Sequence, residues 1–215
     1  MNVFITGTSG GIGKATAELF LQNGHSVCGL DIAEAAIAHP SYRHLRADVR
    51  DAETLDLPEA EIFISNAGTL EESDAIAVNL EAAMRLTERM IQSDGLRSVL
   101  FIASASARNG AEFPYYVASK AGLVGYMKNL ALRLAPHGVT CNSISPGGVI
   151  TSANRHILES ETLYAAVKAE TLLGKWAEPA EIAELAYFLT VTNRSITGED
   201  ILIDNGEMLK SNFIW

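Results

Sequence analysis

Tyr116-Val117-Ala118-Ser119-Lys120 is the run best equipped for chemistry in this chain. Residues four apart on a helix share a face, so a helical run points Tyr116 and Lys120 the same way. A free phenol has a pKa of ~10 and is a poor base near neutrality. A nearby ammonium favours the phenolate, and the pair then makes a usable general acid/base. A surface Tyr–Lys pair without a role is the competing reading of these two residues.

A second run can hold phosphate. Thr6-Gly7-Thr8-Ser9-Gly10-Gly11-Ile12-Gly13 follows a strand-like stretch and opens a helix-like one. Gly7 suits a tight turn, Gly11 lets a pyrophosphate approach the backbone, and Gly13 lets the helix pack closely on the sheet. The helix N-terminus adds N–H groups and positive dipole. An ordinary glycine turn would look similar, but Asp31 weighs against it. Asp31 lies 18 residues beyond Gly13, where a carboxylate can accept hydrogen bonds from both ribose hydroxyls of an adenosine. The same charge repels a 2′-phosphate, and no Lys or Arg lies among residues 8–10 or 32–36 to welcome one. The expected cofactor is therefore NAD rather than NADP. Capping a short helix is the plainer role for Asp31.

These groups need a scaffold that brings residues far apart in sequence to one place. Apolar runs rich in strand formers predict strands at Asn2–Thr6, His25–Leu30, within Arg43–Val49, and at Ile62–Ser65, Ser98–Ala103, Gly138–Ile144 and Ile201–Ile203. Helical spacing marks Gly11–Gly24, Ser73–Gln92, Tyr115–Ala135 and Pro179–Leu189. Apolar strands alternating with helices imply a parallel sheet covered on both faces. Right-handed crossovers then give a single-domain, doubly wound (Rossmann) α/β fold of about seven strands over residues 1–215. Two helical connections, the second and third, look shortened. Asp31 to Asp48 leaves room only for a short helix. Arg50–Ala60 is an eleven-residue crossover, near the lower limit for joining parallel strands.

Sixteen Lys and Arg against 26 Asp and Glu give a net charge of −10, a poor match to nucleic acid or an anionic membrane. Hydrophobic residues at 48% and charged residues at 20% suit a soluble globular protein. No apolar run approaches membrane-spanning length, and Met1–Thr6 carries no basic residue, so the expected location is the cytoplasm. Cys28 and Cys141 read as reduced, buried thiols. The five histidines, at 25, 39, 44, 137 and 156, lack metal-ligand spacing, and no metal is expected.

The glycine loop, the Tyr-x-x-x-Lys run and their order resemble the short-chain dehydrogenase/reductase family, and the match extends over nearly the whole chain. Asn66-Ala67-Gly68 resembles the family's Asn-Ala-Gly, which shapes the cofactor floor. Asn142-Ser143-Ile144-Ser145-Pro146-Gly147-Gly148, Thr197-Gly198 and Asp204-Asn205-Gly206 continue the pattern. The resemblance implies an NAD(H)-dependent oxidoreductase that interconverts a secondary alcohol and a ketone. Its catalytic residues would be Asn79, Ser104, Tyr116 and Lys120. Asn79, in Val-Asn-Leu, matches a helix Asn that holds a proton-relay water. Ser104 would hydrogen-bond the substrate oxygen, with Ser106 as its rival. Lys120 would also hold the nicotinamide ribose.

The resemblance carries cofactor contacts onto Gly7, Ser9, Gly11, Ile12 and Gly13 of the loop and onto Asp31. It adds Asp48 at the adenine, Asn66, Ala67 and Gly68 on the floor, and Pro146, Gly147, Ile150 and Thr151 near the carboxamide. Thr151–Gly174 is the expected substrate lid. Arg108, Tyr115, Arg155, His156 and Trp176 are candidates for the substrate pocket, with a solvated face the favoured reading of Arg155 and His156. The two longest helices are the family's subunit faces, which implies a homodimer or homotetramer. Ala82, Ala83 and Ala131 suit either such a face or the core. The chain departs from the family by its shortness: only ten residues separate Gly68 from Asn79. Asn205 stands where a Gly-like turn residue is usual, and Asn tolerates the left-handed conformation. Two other functions suit the same fold. One is an NAD(H)-binding sensor or scaffold without turnover, which the intact catalytic set argues against. The other is an NAD-recycling epimerase or dehydratase, whose larger substrate domain has no room here.

Overall fold

In a computed structural model, described for residues 1–111 and 113–209, seven strands form one sheet. They are β1 (Asn2–Thr6), β2 (Ser26–Asp31), β3 (Tyr42–Arg46), β4 (Ile62–Ser65), β5 (Ser98–Ile102), β6 (Thr140–Pro146) and β7 (Asp200–Ile203). The sheet order is β3-β2-β1-β4-β5-β6-β7, and every pairing is parallel. The order reverses between β1 and β4. Their C-terminal ends therefore flank a crevice, the place where open parallel sheets bind ligands.

Side-chain alternation along the strands feeds two cores. Phe4, Phe63, Val99 and Phe101 face one side, and Val3, Ile5, Ile62, Ile64 and Leu100 face the other. Helix α1 (Gly11–Gln22) packs Ala17, Phe20 and Leu21 into the second core. Helices α2 (Ala83–Met90), α3 (Ser106–Asn109) and α4 (Pro114–Leu134) follow, with α2 and α4 covering the first core through Leu86, Met90, Leu123, Met127 and Leu130. Next come α5 (Arg155–Leu158), α6 (Glu161–Ala169) and α7 (Pro179–Tyr187), the last placing Ile182 and Ala186 in the second core. Ala82, Ala83 and Ala131 all lie in the first core.

Several expectations need correction. Residues 32–41 hold no helix. The third strand is Tyr42–Arg46, and Val49 opens a 3-10 turn, Val49–Asp51, capped by Asp48. In place of the missing helix, two β3 side chains brace the glycine loop after β1. The Ala33 carbonyl can only accept, so His44 Nε2 donates to it at 2.9 Å. In a neutral ring Nδ1 then accepts from the Tyr42 hydroxyl at 2.9 Å, and Tyr42 accepts from Thr8 Oγ1, also at 2.9 Å. The helix expected over Ser73–Gln92 begins as a π-helix, Ile76–Ala82, before continuing as α2. π-Turns are frequent at functional sites, and Asn79 sits inside this one. Asn205 adopts the left-handed conformation, with φ 55°.

Candidate active site

The crevice is an open cleft of about 600 Å³. The loop after β1 forms one wall. Gly7 has φ +76° and Gly11 φ +49°, both in the left-handed region. A Cβ on Gly13 would overlap the Gly7 carbonyl oxygen, so this glycine is required by the close approach of helix and loop. No side chain caps α1 at its N-cap, Gly10, and no acidic residue lies in its first turn. Gly10, Gly11 and Ile12 line the cleft, so the N–H groups and positive end of α1 face a space suited to a pyrophosphate.

Asp31 ends β2 at the cleft wall. Its Oδ2 accepts from the Ser9 N–H and its Oδ1 from the Ala33 N–H, each at 2.9 Å. These bonds fix the carboxylate, and each oxygen keeps a lone pair for a ribose hydroxyl. The floor is stitched by Thr6. Its Oγ1 accepts from the N–H groups of Asn66 and Ala67, each at 3.0 Å. Asn66 Nδ2 donates to the carbonyls of Thr6 and Gly7 at 2.9 and 3.2 Å. The turns after β1 and β4 are thereby one unit.

The opposite end carries the Tyr116–Lys120 pair. Tyr116 and Lys120 lie one turn apart on α4, and both line the cleft. Lys120 Nζ is 5.8 Å from the Tyr116 ring centroid. It is buried, 5% exposed, and donates to the Ile102 carbonyl at 2.9 Å. Burial lowers its pKa from 10.5 to about 8. Ser104 also lines the cleft, whereas Ser106 does not. Ser106 instead supports its neighbour: its hydroxyl and N–H both donate to Ser104 Oγ, at 2.9 and 3.2 Å. With its lone pairs so engaged, Ser104 keeps its own proton to donate toward a substrate oxygen.

Of the other expected cofactor residues, Gly68, Pro146 and Thr151 line the cleft, while Ser9, Gly13, Asp48, Gly147 and Ile150 stand outside its wall. The Asp48 carboxylate pairs with Arg50 at 2.7 Å, and this guanidinium holds it below the usual carboxylate range. Asn79 is buried behind the wall. Its Oδ1 accepts from the Thr69 N–H at 2.7 Å, and its Nδ2 donates to the Thr69 carbonyl and to Ser119 Oγ. None of the five substrate-pocket candidates lines the cleft. Arg108 is drawn off by Asp200, Arg155 pairs with Glu159, and Trp176 packs over Gly148. Instead Thr69, Leu70, Glu71, Ser152, Ala153 and Asn154 complete the wall. Ser152, Ala153 and Asn154 fall within the expected lid, 151–174, whereas Thr69, Leu70 and Glu71 were not anticipated, because nothing local distinguishes a loop residue that faces a cleft from one that faces water.

Among the described residues no group of His, Cys, Asp or Glu could hold a metal ion, and no helix is long and apolar enough to cross a membrane. Both cysteines are free thiols, with Cys141 pushed up to about 12 by burial.

Comparison with known proteins places this geometry in company. Residues 58–207 match a family model described as enoyl-(acyl carrier protein) reductase. The chain is 30% identical to the short chain dehydrogenase prhI of Penicillium brasilianum, over 94% of this chain and 95% of that one. It is 27% identical to L-rhamnose 1-dehydrogenase (NADP(+)) of Thermoplasma acidophilum, over 97% and 96%. A solved structure of a 4-hydroxyisoleucine dehydrogenase mutant, complexed with NADH and succinate, superposes with a TM-score of 0.89. It is 26% identical, and the match covers 99% of this chain and 100% of that one.

Proposed function

Because the chain belongs to the short-chain dehydrogenase/reductase family, we propose that it interconverts a secondary alcohol and a ketone with NAD(H), using Tyr116 as general acid/base. One observation carries the reading: Tyr116, Lys120, Ser104, Asp31 and, from the glycine loop, Gly7, Gly10, Gly11 and Ile12 all line a single cleft. The nicotinamide, when bound, supplies the acceptor or donor of hydride. In oxidation the Tyr116 phenolate takes the alcohol proton as the carbinol C–H bond breaks with its electron pair and the carbonyl forms. Reduction is the reverse. Lys120 holds the phenol in its reactive form and is placed to bind the nicotinamide ribose. The Ser104 hydroxyl donates to the substrate oxygen, where charge develops. Asn79, tied to Thr69 and Ser119, holds the route by which the proton leaves.

The cofactor proposal is NAD over NADP. One similar protein carries NADP(+) in its name and another was solved with NADH, so the relatives leave the choice to this chain's own residues. Asp31, its carboxylate fixed by two backbone N–H groups, meets a 2′-phosphate with like charge. Assembly into a dimer or tetramer is proposed on the family's usual use of α2 and α4 as subunit faces. The test is a fluorescence titration with NADH and NADPH, followed by NAD(P)H formation from glycerol, cyclohexanol, butan-2-ol and L-rhamnose. Tighter NADH binding, with NADH formed from at least one alcohol, supports the reading. Tighter NADPH binding overturns the cofactor assignment.

A further inference from the structure

Ten residues, 69–78, join the Asn66-Ala67-Gly68 turn to Asn79. One end of this segment is fastened by the two hydrogen bonds between Thr69 and Asn79. Glu72, half-buried, reaches the other way, to the first turn of α4. Its Oε2 accepts from the Tyr115 N–H and its Oε1 from the Tyr116 N–H, both at 3.1 Å. No side chain of α4's own segment does this: the N-cap is Phe113, which makes no side-chain cap bond. Pro114 has no N–H to satisfy, and the Val117 N–H already reaches the Phe113 carbonyl at 2.9 Å. Glu72 therefore takes the two first-turn donors that the helix leaves over, and one of them belongs to Tyr116 itself. A carboxylate is the strongest acceptor for that place, because the helix dipole favours negative charge there.

We propose that Glu72 is a positioning residue for Tyr116, clamping the first turn of α4 so that the phenol keeps its place beside Lys120. The proposal rests on Tyr116 being the acid/base. Lys120 is anchored separately, by its bond to the Ile102 carbonyl one turn further along. Without the clamp the first turn can shift while Lys120 stays, so the pair loses its register. The glycine loop and Asp31 lie at the other end of the cleft and share no hydrogen bond with Glu72. The effect therefore falls on the chemical step and spares cofactor binding.

The test compares wild type, Glu72→Ala, Glu72→Gln and Tyr116→Phe. Each is assayed with the fastest alcohol of the panel above, by NADH titration, and by hydrogen exchange at the Tyr115 and Tyr116 amides. Glu72→Ala is expected to lower kcat roughly tenfold or more, since small misplacements of a reacting group are expensive in rate. Its NADH dissociation constant stays within about twofold of wild type, and Glu72→Gln, which keeps one acceptor oxygen, recovers part of kcat. Both amides exchange faster in Glu72→Ala. If Tyr116→Phe is inactive yet Glu72→Ala keeps its kcat, the clamp is refuted while the acid/base reading stands. Equal loss of kcat and NADH affinity, without rescue by Gln, marks a general structural role and also refutes it. If Tyr116→Phe turns over like wild type, the acid/base reading falls and takes this proposal with it.

Discussion

Lys120→Met should make the cofactor-free protein more stable at neutral pH while removing its activity. Lys120 is 5% exposed and its pKa falls from 10.5 to about 8 through burial. That difference corresponds to about 3 kcal/mol charged against the folded state whenever the lysine is protonated in both states. Below pH 8 the full penalty applies. Between about pH 8 and 10.5 the folded protein sheds the proton first, the unfolded chain binds more protons, and stability rises with pH. Above 10.5 the penalty is gone. Methionine matches the stem of lysine and carries no charge, so it escapes the penalty at every pH. It also strands the Ile102 carbonyl, at a cost of about 1 kcal/mol. The net gain is about 2 kcal/mol at pH 7, turning into a loss of about 1 kcal/mol near pH 10.5. Urea unfolding of both proteins at a series of pH values reads the difference, in which titrating groups remote from Lys120 cancel; repeating the pair in a Tyr116→Phe background removes the coupled phenol as well. A difference that stays constant across that window would refute the idea that a buried ammonium is kept here at the expense of stability.

Two further changes probe the rest of the cleft. Asp31→Ala removes a carboxylate fixed against the Ser9 and Ala33 N–H groups. It should weaken NADH binding by roughly tenfold, the scale of one charge-assisted hydrogen bond, and narrow or invert the preference over NADPH. Unchanged NADH affinity in the fluorescence titration would remove Asp31 from the ribose site. Ser106→Ala takes away the hydroxyl that donates to Ser104 Oγ at 2.9 Å but leaves the backbone N–H in place. It should lower kcat about fivefold, the scale of one neutral hydrogen bond, and Ser104→Ala should lower it further. The opposite ranking in steady-state assays would make Ser106 the substrate-facing serine.

The parts of the site carried by local sequence were legible before any coordinates. Gly7, Gly11 and Gly13 announce a turn and a close packing that only glycine permits, and they occur as read. Tyr116 and Lys120 are joined by helical spacing, which needs no tertiary information. Most of the seven strands were legible as short apolar runs; β1 and β4 have the expected bounds, and the boundaries of the others move by up to three residues. What escaped depends on contacts between distant segments. The absent helix at 32–41 leaves a gap that Tyr42 and His44 fill from β3, and no propensity in those ten residues signals it. Asn79 was legible as a residue, but the π-helix around it was not, since an extra residue in a turn leaves the apolar pattern intact. Glu72 caps a helix that begins 42 positions later in the chain. Arg108 and Trp176 lie off the cleft because each has a partner elsewhere, Asp200 and Gly148, while Arg155 and His156 take the solvated face that was the favoured reading.

The most direct test of the central claim is NADH formation by wild type and Tyr116→Phe, each saturated with NAD+ and given the same secondary alcohol. The account predicts that the phenylalanine variant binds NADH as well as wild type and loses at least 100-fold in kcat, the contribution of a positioned acid/base group. Turnover by Tyr116→Phe at the wild-type rate would contradict it.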